Sequence, residues 1–296
     1  MTKVIEVPRS LDEESFEVIF EALAPLSPDE KVLIDARRTR WASPYGLTGL
    51  LAVAQTRLQR PTLAVPELEE TASYWSKTQF FRYADDLYEI TGRTPRARSA
   101  DDSNVLLEVT PIAKTEDIHG VVDKIQNKAQ AMLTGTLHLE PSATMRFTMA
   151  LSEICQNVIE HAGRGGWVAV HAYRFQKRLG RWAVVISVAD AGIGFRQSLE
   201  STHGPRATDR WDDGMALEET VMRGASRFRD PGRGQGLAGV RKFVQTWGGK
   251  FSVRSGTARI AIIPEWDSDT FPLKENLPFF PGAQVQMTIP ENVFHD

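Results

Sequence analysis

A carboxylate, a carboxamide and an imidazole recur at four-residue spacing in the segment SATMRFTMALSEICQNVIEHAG, residues 142–163. They belong to Glu153, Asn157 and His161. Residues four apart lie on one face of a helix, so these side chains would form a single polar row. Such a row can act on one ligand, although a solvated stripe on an amphipathic helix has the same pattern.

The elements around this row are consistent with a helix. Ser142 is predicted as its N-cap and Gly163 as the residue that ends it. Cys155 is expected to pack as a small apolar residue. One apolar face is predicted from positions i, i+4, i+7 and i+11, which are Phe147, Leu151, Ile154 and Val158. The polar row would therefore lie beside a buried face.

An aspartate followed by two glycines comes next in the chain. Strands are predicted over 167–175 and 181–190, and the second runs directly into Asp190-Ala191-Gly192-Ile193-Gly194. A carboxylate at a strand end is fixed in place, and glycines let the backbone approach a flat ring closely. This segment predicts a pocket for a planar group.

A second glycine cluster, GRGQGL at residues 232–237, precedes a predicted helix through Val240, Val244 and Trp247. Free N–H groups at a helix N-terminus favour anions such as phosphate. A flexible loop would have the same composition. The cluster is not a Rossmann fingerprint, because no strand directly precedes it, and the sequence contains no Walker A motif.

The motifs, in this order, resemble those of the GHKL ATPase superfamily. ExxxNxxxH is similar to its N box, DAGIG to its G1 box, GRGQGL to its G2 box, and GAQVQMTIP at 282–290 to its last strand. The row resembles most closely that of anti-sigma-factor serine kinases. The resemblance implies a Bergerat-type α/β sandwich, a mixed sheet covered by helices, with ATP and Mg²⁺ as cofactors.

The resemblance also implies roles for particular residues. Asn157 would coordinate Mg²⁺, Asp190 would accept a hydrogen bond from the adenine amino group, and Glu153 would be the general base for water or a serine hydroxyl. Thr288 would support the adenine end. The remaining residues assigned to the nucleotide are His161, Gly192, Gly194, Gly232, Arg233, Gly234, Gly236 and Leu237. His161 has the open alternative of a helix-end cap or packing residue, and Arg229 or Arg233 are candidates to close a lid over the γ-phosphate.

The N-terminal part alternates predicted strands and helices, which indicates a small α/β domain. Its strands are predicted at 3–7, 31–35 and 61–65, and its helices at 11–23, 46–58 and 71–80. VLIDARRTRWASPYGLTGLLAVA resembles a STAS domain, a family with a phosphorylated Ser directly before the helix glycine. Here Tyr45 precedes Gly46 and Ser43 lies two positions away, so the phosphoacceptor is expected to be lost from this domain, while modification of Ser43 or Tyr45 stays open. Alternatively, Ser43-Pro44 only shapes the turn into the helix.

Composition and length set the organisation of the chain. The 296 residues include 35 Lys and Arg against 38 Asp and Glu, with 42% hydrophobic residues, which excludes collagen-like and wholly disordered chains. Residues 91–104 contain no large apolar side chain and indicate a linker. We therefore predict a STAS-like domain at 1–95, a linker at 96–104 and an ATP-binding domain at 105–292, with a long loop at 264–281.

The same composition limits location and partners. The net charge of −3 gives no indication of nucleic-acid binding. The N-terminus lacks a signal-peptide pattern, no apolar stretch is long enough to span a membrane, and a single Cys suits a reducing cytosol. A cytoplasmic protein is therefore expected.

The predicted function is that of an ATP- and Mg²⁺-binding regulatory protein, an ATPase or serine/threonine protein kinase of a partner-switching pathway. Its expected partner is a STAS protein, a sigma factor or an effector, and a homodimer is an open possibility. The alternative is a nucleotide-gated interaction module without turnover.

Overall fold

A computed structural model describes residues 2–96, 104–175, 179–203, 211–225 and 236–292. The strands are β1 (Lys3–Glu6), β2 (Ser10–Leu11), β3 (Val32–Asp35), β4 (Trp41–Ala42), β5 (Thr62–Ala64), β6 (Glu89–Thr91), β7 (Val105–Ile112), β8 (Gly166–Arg174), β9 (Trp182–Asp190), β10 (Lys250–Gly256), β11 (Ala258–Ile262), β12 (Leu273–Lys274) and β13 (Phe280–Pro290). The helices are α1 (Glu17–Leu23), α2 (Pro44–Gln55), α3 (Glu69–Lys77), α4 (Phe80–Leu87), α5 (Thr115–Gly135), α6 (Pro141–Asn157), α7 (Gly194–His203), α8 (Asp213–Arg223) and α9 (Gly236–Thr246). Over these ranges, none of the helices combines the length and apolar character needed to cross a membrane.

The N-terminal part forms a four-stranded sheet in the order β1-β3-β5-β6, and each of its neighbouring pairs is parallel. Parallel neighbours need crossover connections, which the intervening helices supply. The predicted alternation of strands and helices is therefore present. A separate parallel pair is formed by β2 and β4.

Two N-terminal helices differ from their predictions. The helix predicted from residue 11 begins only at Glu17, because residues 10 and 11 form β2 and the Asp12 carboxylate accepts the N–H groups of Glu14 and Ser15 in a turn. The helix predicted over 71–80 is two helices, α3 and α4, which are separated at Gln79 in the left-handed conformation with φ of 61°.

The second sheet has seven strands in the order β12-β11-β10-β13-β9-β8-β7. All its described pairs are antiparallel, so the predicted mixed sheet is wrong in this respect. The strands predicted over 167–175 and 181–190 are confirmed as β8 and β9. The long loop predicted over 264–281 contains the short strand β12, which pairs with β11.

Helix α6 carries the predicted polar row and differs from the prediction at its start. It begins at Pro141 with Glu140 as the N-cap residue and without a side-chain cap, so Ser142 is not the cap. The chain continues into a π-helical turn, Val158–Ala162, and Gly163 ends it with φ of 68° as predicted. The predicted apolar face is buried, and so is Cys155.

Both faces of the seven-stranded sheet are covered. One hydrophobic cluster joins one face to α5, α6 and α9. The other joins the opposite face to the N-terminal part, where Leu47, Leu50 and Leu51 of α2 share a cluster with Trp167 and Ala189. The N-terminal part thus packs directly on the sheet, while the predicted domain boundaries stay a prediction.

Buried polar contacts also join the N-terminal part to the sheet. Lys250 Nζ lies 3.1 Å from Glu13 Oε2, and Arg254 Nε donates to Glu17 Oε1 over 2.8 Å. Burial raises the pKa of Glu13, but the charges of Lys250 and Arg259 outweigh burial and leave that pKa below its ordinary value. The carboxylate is therefore held ionised by its buried partners.

Candidate functional site

A pocket lies between the end of α6 and the strands β9 and β13. Its lining includes Asn157, Val158, Asp190, Phe195 and Val285. The empty space between these side chains is about 20 Å³. A planar ligand can therefore enter only if the lining opens.

Asp190 gives this pocket its charge. It is the last residue of β9 and is 5% exposed, and its Oδ1 accepts the N–H of Gly192 over 2.8 Å. Burial raises the pKa of Asp190 to about 7, and the backbone hydrogen bonds with Gly192 and Ala283 oppose this only in part. The carboxyl group is therefore close to half protonated at neutral pH, which suits a group whose task is to pair with a polar edge of a buried ligand.

The two glycines after Asp190 are required by close backbone packing. A Cβ on Gly192 would lie 2.2 Å from the carbonyl oxygen of Ala162 at the end of the π-helical turn. Gly194 has φ of 72°, and its Cβ would lie 2.9 Å from the carbonyl oxygen of Pro281. Gly194 begins α7 and lines the pocket, whereas Gly192 is not among the lining residues and fixes the loop against the end of the helix.

The polar row of α6 meets the pocket at Asn157. The Asn157 Nδ2 donates to the backbone oxygen of Glu153 over 2.9 Å, so the amide oxygen is the atom left to bind a cation. Glu153 is half-buried, and burial, followed by the charge of Glu160, raises its pKa. Glu153 is not among the residues that line the pocket. His161 lies in the π-helical turn.

The second glycine cluster falls largely outside the described residues, as Gly232, Arg233 and Gly234 do, together with Arg229. Gly236 and Leu237 are the first residues of α9, and Leu237 is buried. The predicted helix start is therefore present, while the assignment of these residues to phosphate stays a prediction.

Thr288 lies away from the pocket. Along β13, Ala283 and Val285 face the pocket, whereas Gln286 and Thr288 line a cavity beside the N-terminal part. Alternate residues of a strand point to opposite faces. Its predicted support of the adenine end therefore does not fit its position.

Ser43 and Tyr45 are both 1% exposed. Ser43 is the N-cap of α2, and its Oγ accepts the N–H of Gly46 over 3.1 Å. The structure thus agrees with the alternative in which Ser43 and Pro44 shape the turn into the helix.

Ser255 is a functional candidate that the sequence analysis missed. It is buried, its Oγ accepts the N–H of Phe195 over 3.2 Å, and it donates to the carbonyl oxygen of Gly282 over 2.8 Å. It therefore ties the start of α7 to β10 and β13 next to the pocket. In the sequence, Ser255 is followed by a glycine, a pair that is typical of an ordinary turn. No sequence pattern therefore indicated a role at the pocket.

Comparison with known proteins finds a family match over the residues that surround this pocket. A family model described as "Histidine kinase-, DNA gyrase B-, and HSP90-like ATPase" matches residues 143–291, which run from α6 to the residue after β13. No curated protein matches the chain.

Proposed function

The chain belongs to the family of histidine kinase-, DNA gyrase B- and HSP90-like ATPases, and we propose that it binds ATP with Mg²⁺ in the pocket beside Asp190. The observation that carries this proposal is the buried Asp190 carboxyl group in a pocket that Asn157 also lines. A base amino group would donate to this carboxyl, because little water competes for it there. The amide oxygen of Asn157 is a hard ligand of the kind that Mg²⁺ prefers, and Mg²⁺ would neutralise phosphate charge.

We further propose that the protein is an ATPase or a serine/threonine protein kinase. Glu153 would then be the general base. Its raised pKa brings the carboxylate closer to the pH at which it must accept a proton, which favours proton transfer. Phosphoryl transfer otherwise depends mainly on positioning and on neutralising charge.

The resemblance of the N-terminal part to a STAS domain motivates the pathway that we propose. The protein would act in partner switching in the cytoplasm, with a STAS protein, a sigma factor or an effector as its partner. Ser43 is buried and lines a cavity on the sheet face opposite to the Asp190 pocket. A phosphorylated serine would therefore belong to another chain.

The alternative is a nucleotide-gated interaction module, in which ATP orders a surface without turnover. One observation favours it, namely that Glu153 does not line the pocket that Asn157 and Asp190 share. A carboxylate acts as a base only within reach of its proton.

Calorimetry with ATP and Mg²⁺ tests the site. We expect Asn157→Ala and Asp190→Ala to lose most of the binding and Ser152→Ala, a neighbour outside the polar row, to retain it. Normal ATP binding by both pocket variants would show that the site is misplaced.

Turnover tests the activity. We expect Glu153→Ala to bind ATP and to lose hydrolysis or phosphotransfer to candidate STAS proteins. If the wild-type protein binds ATP but neither hydrolyses nor transfers phosphate, the interaction module is the better description.

A further inference from the structure

A second cavity lies at one place between the N-terminal part and the sheet, on the face opposite to the Asp190 pocket. Its volume is about 570 Å³, which lies in the range of small-molecule sites. Four of its lining residues are aromatic. One belongs to β4, one to β8, one directly follows β8, and one lies in the loop after β11. They are Trp41, Tyr173, Phe175 and Trp266, and we call this space the aromatic cavity.

The four rings form a continuous wall. The centroids of Trp41 and Tyr173 are 5.4 Å apart in an edge-to-face arrangement, and Tyr173 stacks on Phe175 at 4.8 Å. Trp266 continues the wall at 6.3 Å from Phe175. Its indole N–H donates to the carbonyl oxygen of Gly248 over 2.7 Å, which fixes this ring. The wall is thus held in place by contacts between separate elements.

Carboxylates also line this cavity. Asp12 and Glu13 both line the aromatic cavity. Glu13 is 4% exposed and is held by an ion pair with Arg259, whose Nη1 lies 3.6 Å from Oε1, and by the amide of Gln286, which donates to Oε2 over 3.2 Å. The more exposed carboxylate of Asp12 is therefore the one that a ligand can reach.

The two cations that line the cavity already have partners, and those of Lys250 are two of the lining carboxylates. Lys250 Nζ lies 2.8 Å from Asp267 Oδ2 and 3.1 Å from Glu13 Oε2. Arg174 is exposed, and its Nε donates to the carbonyl oxygen of Gly180 over 3.0 Å. The lining that the structure describes holds four carboxylates, of Asp12, Glu13, Glu14 and Asp267, against these two cations. An anion is therefore disfavoured.

We propose that the aromatic cavity binds a small organic cation, a quaternary ammonium or amine compound with an apolar body. Aromatic faces attract such cations through the ring quadrupole, and carboxylates beside them add charge attraction. The ligand would lie where the N-terminal part meets the sheet, so its binding would stabilise that contact. This site lies across the sheet from the nucleotide pocket and does not depend on ATP binding.

Calorimetry on the full chain with choline and with its uncharged isostere 3,3-dimethylbutan-1-ol tests the proposal. We expect choline to bind saturably and the isostere at least about tenfold more weakly, because only choline carries the charge. Absence of saturable choline binding, or equal affinity for both compounds, would overturn the proposal.

Variants locate the site. Trp41→Leu removes a ring and Asp12→Asn removes a charge while retaining an acceptor for the turn, and each should weaken choline binding about tenfold. Trp41→Phe keeps a ring and should restore part of the affinity. Asp86→Asn, an exposed carboxylate on α4, is the control and should bind as the wild type does. Folding of each variant is checked by its thermal transition, and unchanged choline affinity in folded Trp41→Leu and Asp12→Asn would exclude this cavity.

Discussion

The substitution Asp190→Asn should stabilise the nucleotide-free protein at high pH. The pKa of this carboxyl is about 7 in the folded chain, against an ordinary value of 3.8. Below about pH 4 the group is protonated in both states and has no effect on stability. As the pH rises to 7 the unfolded chain loses the proton first, so folding becomes less favourable.

The magnitude follows from the same two values. The difference between 3.8 and about 7 corresponds to about 4 kcal/mol of stability lost above pH 7. Asn carries no charge and can still accept a hydrogen bond from the Gly192 N–H. The stability of the variant should therefore not fall as the pH rises. It should exceed the wild type by up to about 4 kcal/mol at pH 8 and match it near pH 4.

Guanidinium unfolding of both proteins between pH 4 and 8 measures the effect as a difference curve. Asp35→Asn is the control with the opposite sign. The hydrogen bond from the Arg37 guanidinium lowers the pKa of Asp35, so the ionised carboxylate stabilises the fold above about pH 4. Asp35→Asn should therefore be less stable than the wild type above that pH. A difference between Asp190→Asn and the wild type that does not change with pH would refute the reasoning.

Three further substitutions test the contact between the N-terminal part and the sheet, each by chemical unfolding. Gln284→Met should stabilise the protein by about 1–3 kcal/mol, because both polar side-chain atoms of this buried residue lack hydrogen-bond partners; a loss of stability would contradict this. Glu17→Ala should destabilise it by about 3 kcal/mol, because it leaves the buried Arg254 without its carboxylate, whereas an effect no larger than that of the exposed Glu21→Ala would refute it. Gly49→Ala should destabilise by about 1–3 kcal/mol, since its Cβ would lie 2.3 Å from Gln284 Nε2 and 2.7 Å from Phe16 Cζ. Gly120→Ala, in the second turn of α5 with open space around it, should instead stabilise the protein by about 0.5–1 kcal/mol. Equal effects of Gly49→Ala and Gly120→Ala would show that Gly49 is not tightly packed.

The sequence predicted the parts of the site that depend on local patterns. The period of the apolar residues predicted α6 with its polar row, and the structure shows that Asn157 of this row lines the pocket. The run of β9 into Asp190 located the buried carboxyl group, because a strand followed by glycines is recognisable within about ten residues.

Contacts between distant residues could not be predicted in this way. Gln284, Gln286 and Thr288 alternate with apolar residues along β13, a pattern that normally indicates one solvated face. That face is covered by the N-terminal part, and Thr288 lies there rather than at the Asp190 pocket. Glu13 and Lys250 are charged residues of a kind usually found on surfaces, and only the fold shows that they form a buried pair.

The covered face of the sheet has a consequence for synthesis on the ribosome. Helix α2 is buried along nearly its whole length, yet its partners include β8, β9 and β13, and the Glu13–Gln286 hydrogen bond spans 273 residues. At about 5–20 residues per second, roughly 10–50 s separate the emergence of α2 from that of β13. During this interval the apolar surface of α2 is not yet covered by β13. Translation rate and chaperone capture in that window should therefore influence how much of this protein reaches its native state.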